Sequence, residues 1–380
     1  MTAVRPSPVF FPDSDIQDLH SRIDQTRWQE RETVEDWSQG APLSAMRELL
    51  EYWRSSYDWR ECEARINALN PQVTGIDGLD VHFLHARSPH EDALPIILTH
   101  GWPGSIVEFL DVIPMLTDPT AHGGRAADAF HVIAPSLPGY GLSGKPAKHG
   151  WKAPRIADAW IELMSRLGYT RWVAQGGDWG SVVTALIGMK APAGLTGIHT
   201  NRPMYRPRPG DSKASGEEHQ RSLQLSKEYK DEDWGYMQIQ KSRPQTIGYG
   251  LVDSPVALAS WIYEKMWRWT DNQGRPEDAL SRDQMLDNIM LYWLTATGGS
   301  SARLYWEASG TIATSEDTVK VPAGISRFPA ELSLTPRDWA ERVYPNIVYW
   351  NDVAKGGHFG AWEQPQIFAD EVRKCFALMR

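Results

Sequence analysis

The chain has 380 residues, 41% of them hydrophobic, with 39 Lys and Arg against 48 Asp and Glu and a formal net charge of −9. That length admits two domains, or one α/β domain with insertions, around a sizeable core. The acidic balance, without a long basic run, argues against nucleic acid and anionic membranes as partners, and no apolar run reaches the roughly 18 residues of a membrane span. The two cysteines, Cys62 and Cys375, form no disulfide framework and no C-x-x-C, which is the expectation for reduced thiols of a cytoplasmic protein. The opening "MTAVRPSPVFFPDSD" has neither a charged segment leading into an apolar core nor a targeting amphipathic helix. The 18 tryptophans are expected mostly in the core, with some lining an aromatic-friendly cleft.

Residues 14–70 read as polar and helical. "DSDIQDLHSRIDQTRW" offers Ser14 or Asp15 as a cap and Ile16, Leu19 and Ile23 as an apolar face. From Ile76 the character changes. "GLDVHFLHARS" alternates like a strand with one exposed face, and "LPIILTHG" is a continuous apolar run, as in a buried strand. "FHVIAPSLPGYG", "RWVAQGGDWG" and "LTGIHTN" repeat the strand pattern, with "RIADAWIELMSRLG" and "SVVTALIGMKAP" as helices between them. This alternation predicts a mostly parallel sheet flanked by helices on both faces. From about Arg202 to Thr318 the alternation stops, and "PVALASWIYEKMWRW" and "QMLDNIMLYWLTA" read as helices of an insertion above the sheet. "PAGISRFPAEL" and "NIVYWNDVAKGGHFGAWEQP" resume the strand-then-loop pattern, and "PQIFADEVRKCFALM" closes the chain as an amphipathic helix. "GYGLSG", Gly139 to Gly144, matches G-x-G-x-x-G, but it runs into "KPAKHGWKAP", bracketed by Pro146 and Pro154, and no helix opens there. It reads as a loop rather than a dinucleotide site.

The chemistry concentrates after strand ends. "VAQGGDWGSV" sets Asp178 among glycines directly after an apolar run. With serine in that place the pattern would be a nucleophile elbow, a tight strand-to-helix turn that lifts one side chain out; the plain alternative is a glycine turn with Asp178 as helix N-cap. "KGGHFGAWEQP" places His358 in a glycine loop after a strand at Ile347 to Trp350, and "HGWPGS", His100 to Ser105, supplies a tight turn after "PIILT". Nucleophile, acid, histidine is the chain order of the α/β-hydrolase triad. The acid must then lie between Asp178 and His358. Glu331 in "FPAEL" is favoured over Asp338, which sits in the helix-start pattern "TPRDWAERV", and over Asp352, which stands very near the histidine.

"FFPDSDIQDLHSRIDQTRW", "HGWPGS", "GGDWGS", "DSPVALASWIYEK", "FPAEL" and "GGHFGAWEQP" occur in order along nearly the whole chain. Together they resemble α/β-hydrolase-fold epoxide hydrolases of the microsomal, juvenile-hormone-hydrolase-like branch. The membrane anchor of the mammalian members is not matched, so the likeness is to the soluble microbial type. The resemblance implies an α/β-hydrolase fold with an N-terminal extension (1–75) wrapping the core, a core in two parts (76–201 and 319–380) and a helical cap (202–318). It implies tyrosine proton donors on the cap, which fall on Tyr236 in "WGYMQIQ" and Tyr305 in "ARLYWEA", with Tyr292 in "IMLYWLT" expected in the core. It also assigns the oxyanion donors to the backbone N–H groups of Trp102 and Trp179 and leaves His100 a structural role.

That resemblance explains an aspartate at the elbow. A carboxylate is already charged at neutral pH and can attack an sp³ epoxide carbon, giving an ester, while tyrosine hydroxyls stabilise and protonate the ring oxygen. Water activated by His358, with Glu331 orienting the imidazole, then hydrolyses the ester. The expected partners are a small-molecule epoxide and water, with no cofactor, no metal and no membrane; a homodimer is left open. Detoxification and secondary metabolism suit the implied activity equally. The rival readings are a haloalkane dehalogenase, which shares the Asp-Trp pair but needs no cap tyrosines, and a catalytically silent ligand-binding relative. A serine esterase is disfavoured because no G-x-S-x-G occurs.

Overall fold

The structure is a computed structural model that describes residues 3–206, 208–308 and 317–380. Residues 309–316, inside the stretch read as a cap, lie outside the described residues. The strands are β1 (Arg5–Pro6), β2 (Pro71–Ile76), β3 (Leu79–Ala86), β4 (Leu94–Thr99), β5 (Phe130–Pro135), β6 (Trp172–Gly176), β7 (Leu195–Thr200), β8 (Ala323–Arg327) and β9 (Ile347–Asp352). The helices of the first part are α1 (Asp13–Asp24), α2 (Leu43–Ser55), α3 (Trp59–Ala68), α4 (Val112–Thr117), α5 (Ala153–Arg166) and α6 (Asp178–Lys190). Between β7 and β8 come α7 (Glu217–Glu228), α8 (Gly235–Ser242), α9 (Pro244–Asp253), α10 (Pro255–Trp269), α11 (Arg282–Leu294) and α12 (Gly298–Glu307). The chain ends with α13 (Arg337–Ala340), α14 (Gly360–Glu363) and α15 (Pro365–Ala377).

Among the described residues one sheet of nine strands runs in the order β1-β2-β3-β5-β4-β6-β7-β8-β9. β1, β2, β3 and β5 join by antiparallel pairs, and from β5 through β4 to β9 every pair is parallel. The mostly parallel sheet expected from the alternation is therefore present. Helices α5 and α6 pack on one another and α6 on β4, β6 and β7, while α4 and α15 pair against β5, β7 and β8. Covering both faces is what lets "LPIILT" be buried along its whole length. The chain leaves β4 for β5 on one side and then returns to β6 on the other. Such a switch point opens a crevice at the carboxyl ends of its strands.

Three local expectations differ from the observed structure. β3 has no open face: only Asp80 within it is exposed. The histidines that made the sequence look half-polar are buried and bonded, His82 to the Ser136 hydroxyl at 3.1 Å and His85 to the Tyr169 hydroxyl at 2.8 Å, and burial holds the His82 imidazole down at about 3. α1 starts earlier than expected, after Pro12, with no side-chain cap, so Ser14 and Asp15 lie inside its first turn. There Asp13 and Asp15 face the positive end of the helix dipole; Leu19 and Ile23 are buried as anticipated. Strand character begins at Pro71, in β2, rather than at Ile76, and β1 and β2, on either side of the 14–70 stretch, extend the sheet edge. The helices of that stretch turn toward the insertion: α1 and α2 pack on α10, and α3 on α11.

The "GYGLSG" segment is a loop closed by a Gly139 N–H to Gly144 carbonyl bond of 3.0 Å, and the next helix begins only at Ala153. Cys62 and Cys375 are free and buried. Among the described residues no helix is long and apolar enough to cross a membrane.

Candidate active site

Pairing of β4 with β6 sets Thr99 opposite Gly176, so the "HGWPGS" and "GGDWGS" loops leave the sheet side by side. Asp178 has a φ of 47°, a left-handed conformation that Asp tolerates better than most residues. The glycines are required by crowding: a Cβ on Gly180 would lie 1.9 Å from the Thr99 carbonyl oxygen, and one on Gly176 would lie 2.2 Å from the Gly180 oxygen. The alternative of Asp178 as an N-cap does not hold, because Gly177 is the N-cap and Asp178 is the first helical residue. Its Oδ1 instead accepts the Trp102 backbone N–H at 2.9 Å. Trp179 follows in the first turn of α6, where backbone N–H groups have no acceptor within the helix.

The loops after β8 and β9 carry the other two groups. A parallel bridge between Ala330 and Gly357 aligns them, and His358 Nδ1 donates to Glu331 Oε1 at 2.8 Å. Its Nε2 lies 3.5 Å from Asp178 Oδ2, and its backbone N–H donates to the Trp269 carbonyl at 2.8 Å. The competing acids are engaged elsewhere: Asp338 with His219 at 2.9 Å and Asp352 with Arg327 at 2.6 Å. His100 receives the Leu137 N–H on Nε2 at 3.1 Å and donates from Nδ1 to the Gly101 carbonyl at 2.9 Å. That ties the loop after β4 to the loop after β5.

Helices α8 and α12 of the insertion present Tyr236 and Tyr305, both buried. The Tyr236 ring stacks on Trp102 with centroids 4.9 Å apart, and Tyr305 meets Trp102 edge-on at 5.8 Å and Trp179 at 5.1 Å. The two tyrosine rings are 5.9 Å apart. A π turn at Tyr229–Asp233, a distortion frequent at functional sites, brings the Tyr229 hydroxyl within 2.6 Å of the Tyr236 hydroxyl. Tyr292 points away, donating to the Gly104 carbonyl at 2.9 Å.

The chain resembles known proteins over its whole length. Residues 4–109 match the family described as epoxide hydrolase N terminus, and residues 95–228 the alpha/beta hydrolase fold. Over 377 residues, 99% of this chain and 86% of the relative, the chain is 55% identical to the "Putative epoxide hydrolase" of Stigmatella aurantiaca. It is 35% identical to epoxide hydrolase 1 of Sus scrofa over 99% of this chain and 89% of that protein. The chain belongs to the epoxide hydrolases. Its fold is that of the crystal structure of juvenile hormone epoxide hydrolase from the silkworm Bombyx mori, with a TM-score of 0.92, 31% identity, and coverage of 100% of this chain and 95% of that one. The Aspergillus niger epoxide hydrolase structure gives a TM-score of 0.89 at 31% identity, covering 100% and 97%.

In this epoxide hydrolase the charges around Asp178 are closely balanced. Burial alone would raise the Asp178 carboxyl, but His358, Arg202 and the Trp102 amide outweigh it and hold the group below its ordinary value. Glu331 is likewise lowered, with burial overcome by His358 and Arg202. Burial pulls His358 down, yet Glu331 and Asp178 push it up to about 10. Tyr236 and Tyr305 are raised, chiefly by burial and then by neighbouring tyrosines and Asp178. Both hydroxyls therefore keep their protons at neutral pH. A cavity of about 300 Å³ reaches Asp178 past Val182, Met189, Met204 and Val343.

Three residues of this enzyme's site escape a reading of the sequence. Arg202, just past β7, lies 3.3 Å from Asp178 Oδ2 and 3.8 Å from Glu331 Oε1; its place after a strand end was the available signal. Glu363, inside the same motif as His358, accepts the N–H groups of Gly357 at 2.9 Å and Phe359 at 3.0 Å and so holds the histidine loop. Tyr229 carried no signal, since only the π turn brings it to Tyr236.

Proposed function

We propose that this enzyme converts an epoxide to a vicinal diol through an ester on Asp178. An Asp178 oxygen bonds to one ring carbon, that carbon's bond to the epoxide oxygen breaks, and the electron pair goes to the oxygen. Tyr236 and Tyr305, kept protonated by burial, donate to this oxygen, and one of them protonates it. Esterification removes the Asp178 charge that helps raise His358. The imidazole then loses its proton more readily, and that proton replaces the one the tyrosine gave to the ring oxygen. A water next gives a proton to neutral His358 while its oxygen adds to the Asp178 carboxyl carbon. The backbone N–H groups of Trp102 and Trp179 receive the tetrahedral oxyanion. His358 returns its proton to the departing diol oxygen, and Asp178 is regenerated.

The observation that carries this reading is the Asp178–His358–Glu331 line facing two neutral buried tyrosines across the Trp102 ring. A haloalkane dehalogenase would have no use for those tyrosines. We take 202–318 as a lid over a core made of 76–201 and 319–380, with 1–75 bracing it. The rings of Trp102, Trp179 and Trp269 around the site favour an apolar or aromatic epoxide, and the buried free thiols suit a cytoplasmic enzyme.

His358→Gln tests the scheme, because ester formation needs no base while hydrolysis does. With styrene oxide this variant should react once and stall, with an adduct of the substrate's mass mapped to Asp178 by peptide mass spectrometry. In ¹⁸O-water, one wild-type turnover should label Asp178 and leave the diol unlabelled. Label in that first diol would mean direct attack of water on the epoxide.

A further inference from the structure

A cavity of about 20 Å³, with no tyrosine in its lining, is bounded by Asp178, His358, Gly101, Glu108, Gln175 and Asn201. That is room for one water molecule, which needs roughly 10–15 Å³ and two or more polar partners. Its walls supply them. Gln175 is buried, its amide nitrogen donates to Asn201 Oδ1 at 3.2 Å, and its Oε1 has no partner among the described residues. Glu108, on the short turn Ile106–Phe109 after the "HGWPGS" loop, is buried with a side chain folded back over Gly104. A Cβ on Gly104 would lie 1.4 Å from Glu108 Oε1. Neither Glu108 nor Gln175 has a part in ring opening or in the Asp178–His358–Glu331 line.

We propose that Glu108 positions the water that hydrolyses the Asp178 ester, a role that rests on the covalent reading of this site. The cavity touches both groups that this water must reach, His358 as base and Asp178 as acyl carbon. As His358 Nε2 removes one hydrogen, the Glu108 carboxyl oxygen accepts the hydrogen the water keeps, with Gln175 Oε1 as a further acceptor in the same wall. The water's O–H bond to the transferred hydrogen breaks, its oxygen bonds to the Asp178 carboxyl carbon, and Glu108 gains and loses no proton. Burial raises Glu108 to about 8, with the His358 charge opposing and the Asp178 and Glu363 charges reinforcing the rise. In the free enzyme it is thus a neutral acid at neutral pH, and its carbonyl oxygen accepts without setting a negative charge beside the oxyanion that develops on the Asp178 ester.

The test separates the two chemical steps by rapid quench of styrene oxide turnover and intact-protein mass spectrometry. Glu108→Leu, which deletes the acceptor, should form the Asp178 adduct at the wild-type rate and hydrolyse it about 100-fold more slowly, the low end of what correct positioning for proton transfer contributes. Glu108→Gln keeps a carbonyl acceptor and should restore most of the hydrolysis rate. It should also abolish any dependence of that step on the Glu108 ionisation near 8. Rescue by glutamine is the readout that a merely structural role would not produce. Wild-type hydrolysis in Glu108→Leu, or equal slowing of both steps in both variants, would overturn the role. Should Glu108→Leu fail to fold, an unchanged alkaline inflection in Glu108→Gln would overturn it as well. If the wild type and the His358→Gln trap both fail to form an adduct, the covalent reading itself falls and takes this role with it; an adduct hydrolysed normally without Glu108 sinks the role alone.

Discussion

Asp178, Glu331 and His358 stand on the sheet side of the active site, and Tyr229, Tyr236 and Tyr305 face them from the inserted helices. On the sheet side the backbone sets the positions: strand pairing places Thr99 against Gly176, a bridge aligns Ala330 with Gly357, and Asp178 is held at a φ of 47°. On the helical side, ring packing sets them, with Tyr236 stacked on Trp102 and the Lys265 ammonium 4.6 Å from the centre of the same tyrosine ring. The electrostatics divide in the same way. The sheet side holds charged groups whose mutual pairing overcomes burial, whereas the helical side uses burial to keep hydroxyls neutral. In the proposed scheme one wall supplies nucleophile and base and the other a proton, and each environment favours the protonation state that scheme needs.

The largest expected break in this comparison is Asp178→Ala. No neighbouring group can replace the elbow carboxylate, so epoxide hydrolysis should fall by about four powers of ten or more, with circular dichroism unchanged. Residual turnover above roughly 1% would contradict a nucleophilic role for Asp178.

The helical wall should respond in a graded way. Tyr236→Phe and Tyr305→Phe should each slow ring opening by roughly 100-fold, the usual cost of one oxyanion donor, and the double variant should be nearly inactive. Stopped-flow quenching of the tryptophans around the site would follow adduct formation. Tyr292→Phe is the control. It leaves the Gly104 carbonyl without its 2.9 Å partner, so thermal stability should drop by about 1–3 kcal/mol while ring opening stays close to wild type. A large ring-opening defect in Tyr292→Phe beside a silent Tyr305→Phe would reverse that assignment.

The smallest expected effect is on pH dependence, and it sharpens the comparison from the charged side. Asp178 and Glu331 are lowered, so their contribution to folding is present above ordinary carboxylate values and is lost as pH falls through their lowered ones. His358 is raised to about 10, so its contribution is complete below the ordinary imidazole range and is lost as pH rises toward 10. Stability should accordingly be greatest between the ordinary carboxylate and imidazole ranges and fall steadily as pH rises from neutral toward 10. In the proposed scheme hydrolysis needs neutral His358, and the ester removes one of the charges raising it. Acidification to about pH 5 should therefore slow hydrolysis more than ring opening. The fraction of enzyme carrying the adduct, read by quenched mass spectrometry, should rise several-fold; a constant fraction would separate His358 from the hydrolytic step.

Much of the sheet wall is legible in the sequence because its chemistry is local. Glycines that the chain needs to pass Gly180 under Thr99 are written beside Asp178, and His358 stands in a motif of its own. Glu331 is harder, since three acids compete, and only contact separates the one that meets His358 from Asp338 on His219 and Asp352 on Arg327. Tyr236 and Tyr305 are reached through family likeness, because a tyrosine on an amphipathic helix carries no mark that sets it apart from a packing residue.

By itself the sequence determined the strand-helix alternation, the parallel sheet and the loops that bear Asp178 and His358, since hydrophobic period and glycine placement act over a few residues. Tertiary structure alone decided that β3 is covered on both faces, that Arg202 pairs with Asp178, that Tyr229 meets Tyr236, and that Glu108 and Gln175 wall a water-sized cavity. Each of these depends on partners brought together by packing from distant parts of the chain or by an irregular turn. A side chain's charge and hydrogen bonding belong to its neighbours in space, and no local pattern records who those neighbours will be.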